Sequence, residues 1–298
     1  TLILGTLLRV KYSYVAGYVL TYWEASELAR ARDSELRAVE LVVDMGLSRL
    51  TARITDSGVI LGESHYIEFD ELSTIEEGFA YKVMSDKLVR IDMFENNNYY
   101  KLKPVAPRKA PTLEINGIQM HRATYVDPWT DTLLKVSTLG NIAGADVLDV
   151  CTGLGYTAIA EVKRGAKRVV TVEVDPNVLR IAQYNPWSRG LEDSRIEIIL
   201  SDATEYVKKL ESERFDAVLH DPPRVNVAGE LYSLDFYREL YRVLKPGRRL
   251  FHYVGEPGKH GNVSYHKGIK NRLEAAGFTS IRWIDEAKGF LAVKPKFT

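Results

Sequence analysis

The sequence predicts an α/β protein, in which a largely parallel sheet with helices on both faces follows a smaller β-rich N-terminal domain. From about residue 146 onwards, apolar strand-like runs alternate with helical runs, which is the pattern of a parallel sheet. Before residue 110, short runs rich in β-branched and aromatic residues are separated by turn signals, and only residues 24–32 have a helical pattern. We therefore predict two domains, at residues 1–110 and 111–298. The stretch 103–111, with its three prolines, is the expected linker.

Composition limits the class of protein. The 298 residues carry 40 Lys and Arg against 40 Asp and Glu, so no basic excess points to a nucleic acid. A single cysteine excludes an intrachain disulfide and a cysteine-rich metal site. No apolar run reaches the length of a membrane span, and no pair of histidines has metal-ligand spacing. We therefore expect a cytoplasmic protein without a metal or a membrane partner, and its two glutamines and many charges are typical of a thermophile.

Residues 147–158, V-L-D-V-C-T-G-L-G-Y-T-A, read as a buried strand, a glycine turn and the start of a helix. Gly153 and Gly155 allow a sharp turn and the close approach of a ligand, and the first N–H groups of the helix point towards that ligand. The next strand ends at Glu173, an acidic residue that suits a ribose. These features fit NAD or FAD as well as S-adenosylmethionine, and a tight turn without a ligand is a third interpretation.

Asp149 discriminates between these cofactors. Its carboxylate stands at the end of the strand, just before the glycines, where it would repel the anionic pyrophosphate of a dinucleotide at short range. S-adenosylmethionine has no phosphate and carries an ammonium and a sulfonium, which an acidic residue favours. The sequence therefore favours S-adenosylmethionine, or its decarboxylated form, over NAD.

From about residue 146 to the C-terminus, the chain resembles class I S-adenosylmethionine-dependent methyltransferases. The motifs occur in the usual order: D-V-C-T-G-L-G, Glu173 followed by Asp175-Pro176, I-I-L-S-D-A with Asp202, and V-L-H-D-P-P-R at residues 218–224. The resemblance implies a Rossmann-like, seven-stranded methyltransferase sheet with an antiparallel last strand, and S-adenosyl-L-methionine as the cofactor. It also implies that Asp202 bonds the adenine amino group.

The chain departs from this family pattern at two places. Cys151-Thr152 replaces the commoner Gly-Cys, and Arg248-Arg249 follows Pro-Gly where another small residue is frequent. Neither change removes a group that the cofactor needs. More loosely, the whole chain resembles a group of archaeal methyltransferases without an assigned substrate.

Asp221 is the predicted catalytic residue. It begins D-P-P-R, which resembles the (D/N)-P-P-(Y/F/W) motif of methyltransferases that act on nitrogen. In that motif the acidic or amide side chain accepts a hydrogen bond from the target N–H, and the prolines stiffen the loop. Arg224 replaces the aromatic residue and is suited to a carboxylate or phosphate of the acceptor. The alternative is that Asp-Pro-Pro only terminates a strand.

D-P-P-R also resembles enzymes that methylate C5 of uridine in RNA. Those enzymes need a cysteine nucleophile, and the only cysteine here, Cys151, lies in the glycine loop. We therefore predict a direct in-line transfer. The histidines are expected to have structural roles. Two of them nevertheless fall near the predicted site: His252 ends the fifth strand together with Tyr253, and His260 lies in a glycine-containing loop suited to cover the site.

The predicted function is transfer of a methyl group to a nitrogen of an unidentified small molecule, protein or RNA. An aminopropyltransferase that uses decarboxylated S-adenosylmethionine, and a binding module without catalysis, are the alternatives. The N-terminal domain would select the substrate or form a homodimer. Asp221 is the catalytic candidate, and the predicted cofactor-binding residues are Asp149, Thr152, Gly153, Gly155, Glu173, Asp202 and Ala203.

Overall fold

The computed structural model describes residues 8–255 and 263–296, and the chain divides into two compact units. Unit 1 draws its described residues from the segments Thr1–Tyr12, Asp131–Pro176 and Leu191–Thr298, and unit 2 from Ser13–Thr130 and Asn177–Gly190. The division into domains at residue 110 stays a prediction, because compactness alone does not show which segments fold independently.

Strand β1 (Leu8–Val10) belongs to unit 1, and the elements that follow it form the β-rich unit 2. The strands are β2 (Val19–Thr21), β3 (Ala38–Val43), β4 (Ser48–Ile54), β5 (Gly58–Leu61), β6 (His65–Glu68), β7 (Ala80–Met84), β8 (Lys87–Arg90), β9 (Asp92–Glu95), β10 (Asn98–Lys103), β11 (Thr112–Ile115) and β12 (Ile118–Gln119). The helices are α1 (Tyr22–Asp33) and α2 (Phe69–Leu72). Within the described residues, three antiparallel sheets result, in the orders β3-β4-β5-β6, β2-β7-β8 and β12-β11-β10-β9.

Two features of unit 2 differ from the sequence prediction. Residues 14–22 form one of the strand-like N-terminal runs, but only β2 is a strand there, because Glu24 accepts a hydrogen bond from the Thr21 N–H (2.8 Å) and so begins α1 with a capping interaction. The stretch 103–111 is not a linker but the loop of a hairpin, since Lys103 pairs with Thr112. Prolines exclude the interior of a helix or a central strand, but they suit a hairpin loop as well as a linker.

The remaining elements complete unit 1, except that α3 begins in unit 2 and α5 lies mostly there. The helices are α3 (Pro128–Ser137), α4 (Tyr156–Lys163), α5 (Pro176–Ala182), α6 (Ala203–Lys208), α7 (Leu234–Val243) and α8 (Val263–Ala275). The strands are β13 (Asp146–Val150), β14 (Arg168–Glu173), β15 (Ile196–Leu200), β16 (Phe215–His220), β17 (Leu244–Tyr253), β18 (Thr279–Ile284) and β19 (Gly289–Val293). Short 3-10 helices cover Asp44–Gly46, Pro186–Glu192 and Gly229–Tyr232.

In the described residues, the large sheet of unit 1 has eight strands in the order β1-β15-β14-β13-β16-β17-β19-β18. Strands β13 to β17 are parallel, and β19 lies antiparallel between β17 and β18. The predicted Rossmann-like sheet with seven strands and an antiparallel last strand is therefore confirmed, and β1 adds an antiparallel edge strand on β15. The strand order reverses between β13 and β16, which is where such sheets bind ligands at the carboxyl ends of the strands.

Helices α6, α7 and α8 pack on one face of this sheet. Leu148 and Val218 of the sheet share a buried apolar cluster with Val207, Leu240 and Ile269 of these helices. Burial of each such side chain stabilises the fold by about 1.5–3 kcal/mol. Among the described residues, no helix is both long and apolar enough to cross a membrane.

Two acidic residues lie in the interior between β13 and α4. Asp149 and Glu161 have no exposed surface, and neither Asp149 Oδ1 nor the two Glu161 oxygens have a hydrogen-bond partner among the described residues. Burial raises the pKa of Glu161 well above 4.5, and the charge of Asp149 raises this pKa further. The fold therefore favours a protonated Glu161.

The turn after β13 holds a cysteine in a conformation that favours glycine. Cys151 has a φ angle of 76°, in the left-handed region that costs a residue with a Cβ about 1–2 kcal/mol. It occupies the position where the family motif usually has glycine. The chain thus carries local strain next to the glycine loop.

We predict that Glu161→Gln becomes increasingly more stable than the wild type as the pH rises above 4.5. Below pH 4.5 the carboxyl is protonated in both states; above it, the unfolded chain releases a proton that the folded chain retains, so folding loses about 1.4 kcal/mol per pH unit until the folded-state pKa is reached. The amide does not titrate. Urea unfolding from pH 4 to pH 8 measures the difference, with the exposed Glu211→Gln as the control. A constant difference across this range would contradict the prediction.

We predict that Cys151→Gly is more stable than Cys151→Ala by about 1 kcal/mol. Both changes remove the thiol, but only glycine relieves the positive φ angle. Urea unfolding of the two variants gives the comparison. At Ala160, inside α4, replacement by glycine should instead cost about 1 kcal/mol. A more stable alanine variant at position 151 would show that the strain is absent.

Candidate functional site

Polar residues follow the carboxyl ends of neighbouring parallel strands in unit 1. Because these ends meet at one edge of the sheet, the residues lie around the point where the strand order reverses. In the order of the strands, they are Asp202 after β15, Glu173 at the end of β14, Asp149 near the end of β13 with the glycine loop after it, Asp221 after β16, and Tyr253 at the end of β17.

The two glycines of the loop have different surroundings. Gly153 has a φ angle of 54°, and a Cβ built on it would meet nothing within 4 Å. Gly155 has a φ angle of 79°, but a Cβ there would lie 2.5 Å from the Leu191 side chain. Gly153 therefore borders open space that a ligand can approach, while Gly155 permits close packing against Leu191.

Glu173 fixes the glycine loop to the end of β14. Its Oε2 accepts a hydrogen bond from the Gly153 N–H (2.9 Å), and its Oε1 accepts hydrogen bonds from the N–H groups of Val174 and Asp175 (both 3.0 Å). Burial raises the pKa of Glu173, although these three backbone donors favour its ionised form. The predicted ribose-binding carboxylate is thus held in place beside the loop.

Asp149 and Thr152 point into the interior rather than along the surface. The Thr171 hydroxyl donates to Asp149 Oδ2 (2.8 Å), and the Thr152 and Thr171 hydroxyl oxygens are 2.7 Å apart. Burial raises the pKa of Asp149 to about 7, with Asp221 adding to the rise and Thr171 opposing it. Because Asp149 has no exposed surface, its contact with a cofactor stays a prediction.

Asp202 is the N-cap of α6. Its Oδ1 accepts hydrogen bonds from the Thr204 N–H (2.7 Å) and the Glu205 N–H (3.3 Å), an arrangement that stabilises a helix start by about 1 kcal/mol. Ala203 is the first residue of this helix and is buried. The predicted contacts of both residues with adenine stay predictions, and the cap gives Asp202 a structural role besides.

Asp221 is held by a lysine that the sequence analysis missed. Lys135 Nζ donates to Asp221 Oδ2 (2.8 Å) and Oδ1 (3.0 Å), and it lies 2.9 Å from Asp131 Oδ2. The side chains of Lys135 and Asp131 are only 4% and 2% exposed, whereas that of Asp221 is 18% exposed. Of this cluster of three residues, Asp221 presents the most surface to an incoming molecule.

Charges within this cluster oppose the effect of burial. Burial lowers the pKa of Lys135, but Asp221 and Asp131 outweigh burial and raise it above the ordinary value. Burial raises the pKa of Asp221, and Lys135 counteracts that rise. The Lys135 ammonium also lies 3.7 Å from the centre of the Tyr253 ring, which adds a cation–π contact.

The histidines behind Asp221 are buried and bonded within the protein. The rings of His220 and His252 stack with centroids 4.5 Å apart, and neither residue is exposed. His220 Nε2 bonds Leu231 O (2.9 Å), and His252 Nε2 bonds the Tyr237 hydroxyl (2.8 Å). Burial lowers the pKa of His220 to about 4 and that of His252 well below 6.5, so both rings are neutral at pH 7.

Burial raises the pKa of the Cys151 thiol well above 9.0, and Glu173 raises this pKa further. Since the thiolate is the reactive form, this shift disfavours Cys151 as a nucleophile, and the direct in-line transfer stays a prediction. Arg224 is exposed after Pro223, and its contact with an acceptor stays a prediction. His260 lies outside the described residues.

Asp131 and Lys135 had a detectable signal in the sequence. They stand four residues apart in α3, and that spacing places an acidic and a basic side chain on one helical face. The spacing alone is typical of a surface ion pair. Only the packing of α3 beside the end of β16 reveals that the pair is buried against Asp221.

Comparisons with known proteins agree with this architecture. A family model described as "Conserved hypothetical protein 95" matches residues 130–234. Putrescine N-methyltransferase 2 of Nicotiana tabacum is 24% identical over 213 residues, which are 66% of this chain and 57% of that protein. The chain therefore spans little more than half of that relative. Spermidine synthase from Thermotoga maritima has a similar fold, with a TM-score of 0.54 and 18% identity over 69% of this chain and 72% of that one.

A further relative covers most of the chain. Uncharacterized protein MJ1233 of Methanocaldococcus jannaschii is 48% identical over 233 residues, which are 77% of this chain and 79% of that protein. The motif order and the strand order confirm the resemblance inferred from the sequence. The chain therefore belongs to the family of MJ1233 and is a class I S-adenosylmethionine-dependent methyltransferase-like protein.

Proposed function

We propose that this protein transfers a methyl group from S-adenosylmethionine to the nitrogen of an amine, with Asp221 as the residue that orients this nitrogen. The observation that carries the proposal is the partly exposed Asp221 carboxylate, held by Lys135 where the strand order reverses. A carboxylate in that position accepts a hydrogen bond from an N–H group and thereby directs the lone pair of the nitrogen.

The cofactor site fits S-adenosylmethionine. The open space at Gly153 leaves room for the cofactor beside the loop, and Glu173 would bind the ribose hydroxyls. Asp202 would bond the adenine amino group, with Ala203 beside it. When bound, S-adenosylmethionine supplies an electrophilic methyl group, so that a nitrogen–carbon bond forms as the carbon–sulfur bond breaks.

The protein's own part is to orient the acceptor and to receive its proton. A protonated amine must lose one proton before its nitrogen can attack the methyl group, and the Asp221 carboxylate, which accepts the N–H hydrogen bond, is the nearby group that receives this proton. Lys135 prevents free rotation of this carboxylate, because it donates to both oxygens. A preorganised hydrogen-bond acceptor of this kind needs no rearrangement when the amine arrives.

The charge of the Asp131–Lys135–Asp221 cluster favours a cationic amine over a neutral methyl acceptor. Asp131, Lys135 and Asp221 together carry one ammonium and two carboxylates when ionised. Such a cluster attracts a cationic amine to the edge of the sheet. The similarity to a putrescine N-methyltransferase supports the same class of acceptor.

A second candidate is aminopropyl transfer from decarboxylated S-adenosylmethionine. The fold shared with spermidine synthase makes this reaction compatible with the architecture. The loop D-V-C-T-G-L-G lacks the G-G-G-D-G string that aminopropyltransferases usually show, and this difference favours methyl transfer.

The deciding experiment incubates the protein with either methyl-labelled S-adenosylmethionine or aminopropyl-labelled decarboxylated S-adenosylmethionine. The acceptors are a panel of aliphatic amines that includes putrescine, a set of peptides, and RNA. We expect methyl label in the amine fraction. Label from the decarboxylated cofactor would establish the second candidate, and cofactor binding without any transfer would indicate a binding module.

We predict that Glu173→Gln weakens binding of S-adenosylmethionine by about 10-fold or more, since hydrogen bonds to a charged acceptor contribute about 1.5–3 kcal/mol. The amide keeps one acceptor for the loop, so the protein should remain folded. Calorimetry measures the affinity. Glu197→Gln, on the amino-terminal part of β15, is the control. Equal affinities in wild type and Glu173→Gln would place the ribose elsewhere, and binding of NAD in preference would contradict the choice of cofactor.

We predict that Asp221→Ala lowers the turnover of methyl transfer by about 100-fold while cofactor affinity changes by less than about 3-fold. Asp221→Asn keeps one oxygen that accepts a hydrogen bond and should therefore retain more turnover than Asp221→Ala. Both changes leave the buried Lys135 with one carboxylate fewer, so urea unfolding checks that each variant is folded. The assay uses the amine identified above, and Glu211→Gln, an exposed change on the loop before β16, is the control. Wild-type turnover in folded Asp221→Ala would reduce the Asp-Pro-Pro turn to a structural role.

A further inference from the structure

We propose that Lys135 is the positioning residue of the site, which locks both carboxylate oxygens of Asp221 and makes helix α3 part of the reaction machinery. The part of this inference that concerns methyl transfer rests on the proposed function. The contacts that carry it lie within unit 1 and exist before any ligand binds.

The geometry leaves Lys135 little freedom. Its ammonium reaches Asp221 Oδ2 at 2.8 Å, Asp221 Oδ1 at 3.0 Å and Asp131 Oδ2 at 2.9 Å. The ring of Tyr253 covers the ammonium at 3.7 Å from the ring centre. With only 4% of its side chain exposed, the lysine cannot exchange these partners for water at little cost.

The position of Lys135 also determines how Asp221 is presented. Both oxygens of Asp221 receive a donor from the side of α3, so the carboxylate plane is fixed relative to the end of β16. The remaining lone pairs of these two oxygens can accept a hydrogen bond from an N–H group of the amine that is to be methylated. A long lysine side chain on a neighbouring helix therefore sets the direction in which the acceptor nitrogen is held.

Asp131 positions the lysine in turn. It stands one helical turn before Lys135 on α3 and is 2% exposed. It keeps the ammonium paired on its other side, but its negative charge also acts on Asp221. The two α3 residues thus have opposite effects on Asp221: Lys135 favours its ionised form and Asp131 disfavours it.

Several ionisable groups face this cluster from the surrounding elements. Asp149 comes from β13, Cys151 from the glycine loop, Tyr253 from β17, and Tyr232 from the 3-10 helix that follows the Asp-Pro-Pro turn. All of them remain unchanged in the α3 variants described below. Differences between those variants therefore report on Asp131 and Lys135.

The first test is an NMR titration of the Asp221 side-chain carboxyl in the protein without cofactor. We expect Lys135→Gln to move the titration of Asp221 to higher pH, Lys135→Arg to restore it, and Asp131→Asn to move it to lower pH. Lys167→Gln, an exposed lysine at the start of β14, is the matched control and should change nothing. Shifts of opposite sign from two residues of one helix are not expected from a general loosening of the fold.

The second test uses methyl transfer to the identified amine. Lys135→Gln should lower turnover by about 100-fold and move the acidic limb of the pH profile of turnover to higher pH. Cofactor affinity should be retained, and Lys135→Arg should restore part of the turnover. If no amine is methylated, the proposed function fails while the titration still decides the role of Lys135.

An unchanged Asp221 titration in both Lys135→Gln and Asp131→Asn would overturn the inference. Should Lys135→Gln fail to fold, Lys135→Arg and Asp131→Asn still decide it. A shift of the Asp221 titration to lower pH in Asp131→Asn supports the inference, and an unaltered titration curve contradicts it.

Discussion

A buried ammonium ion is the constraint around which this site is organised. Burying an ammonium is costly unless carboxylates neutralise it, and Lys135 meets that condition by joining Asp131 of α3 to Asp221 after β16. The ion pair therefore fixes α3, which precedes the glycine loop in the chain, to the residue that follows β16, the neighbour of β13 in the sheet. Removal of any one charge would leave the others poorly compensated.

The glycine loop of the site is likewise arranged in the absence of a ligand. Glu173 is bonded to three backbone N–H groups, so the loop and the predicted ribose acceptor are arranged before a ligand is present. Gly155 is packed closely, whereas Gly153 faces open space. The closely packed part of the loop contacts the protein, and the accessible part is the one that a ligand would meet.

Much of unit 1 was predictable because its signals are local. Alternating strand and helix patterns gave the parallel sheet, and the glycine loop, Glu173 and Asp221 fall at strand ends as expected. Lys135 was not identified, because its importance arises from contacts 86 residues apart in the chain. Asp149 was placed correctly on β13, but sequence alone did not show that its side chain turns inward to Thr171 and the neighbourhood of Glu161. In unit 2, β7 escaped detection since Lys82, buried and bonded to Tyr14, interrupts the apolar pattern.

Strand β1 has a consequence for the solution behaviour of the protein. Through Leu8 to Val10 it pairs antiparallel with β15, which would otherwise end the parallel part of the sheet with unpaired backbone groups. Exposed strand edges of this kind are templates for pairing with another chain. The three-residue β1 thus takes the edge position in place of the longer β15, and its displacement would expose the backbone groups of β15 to pairing with another chain.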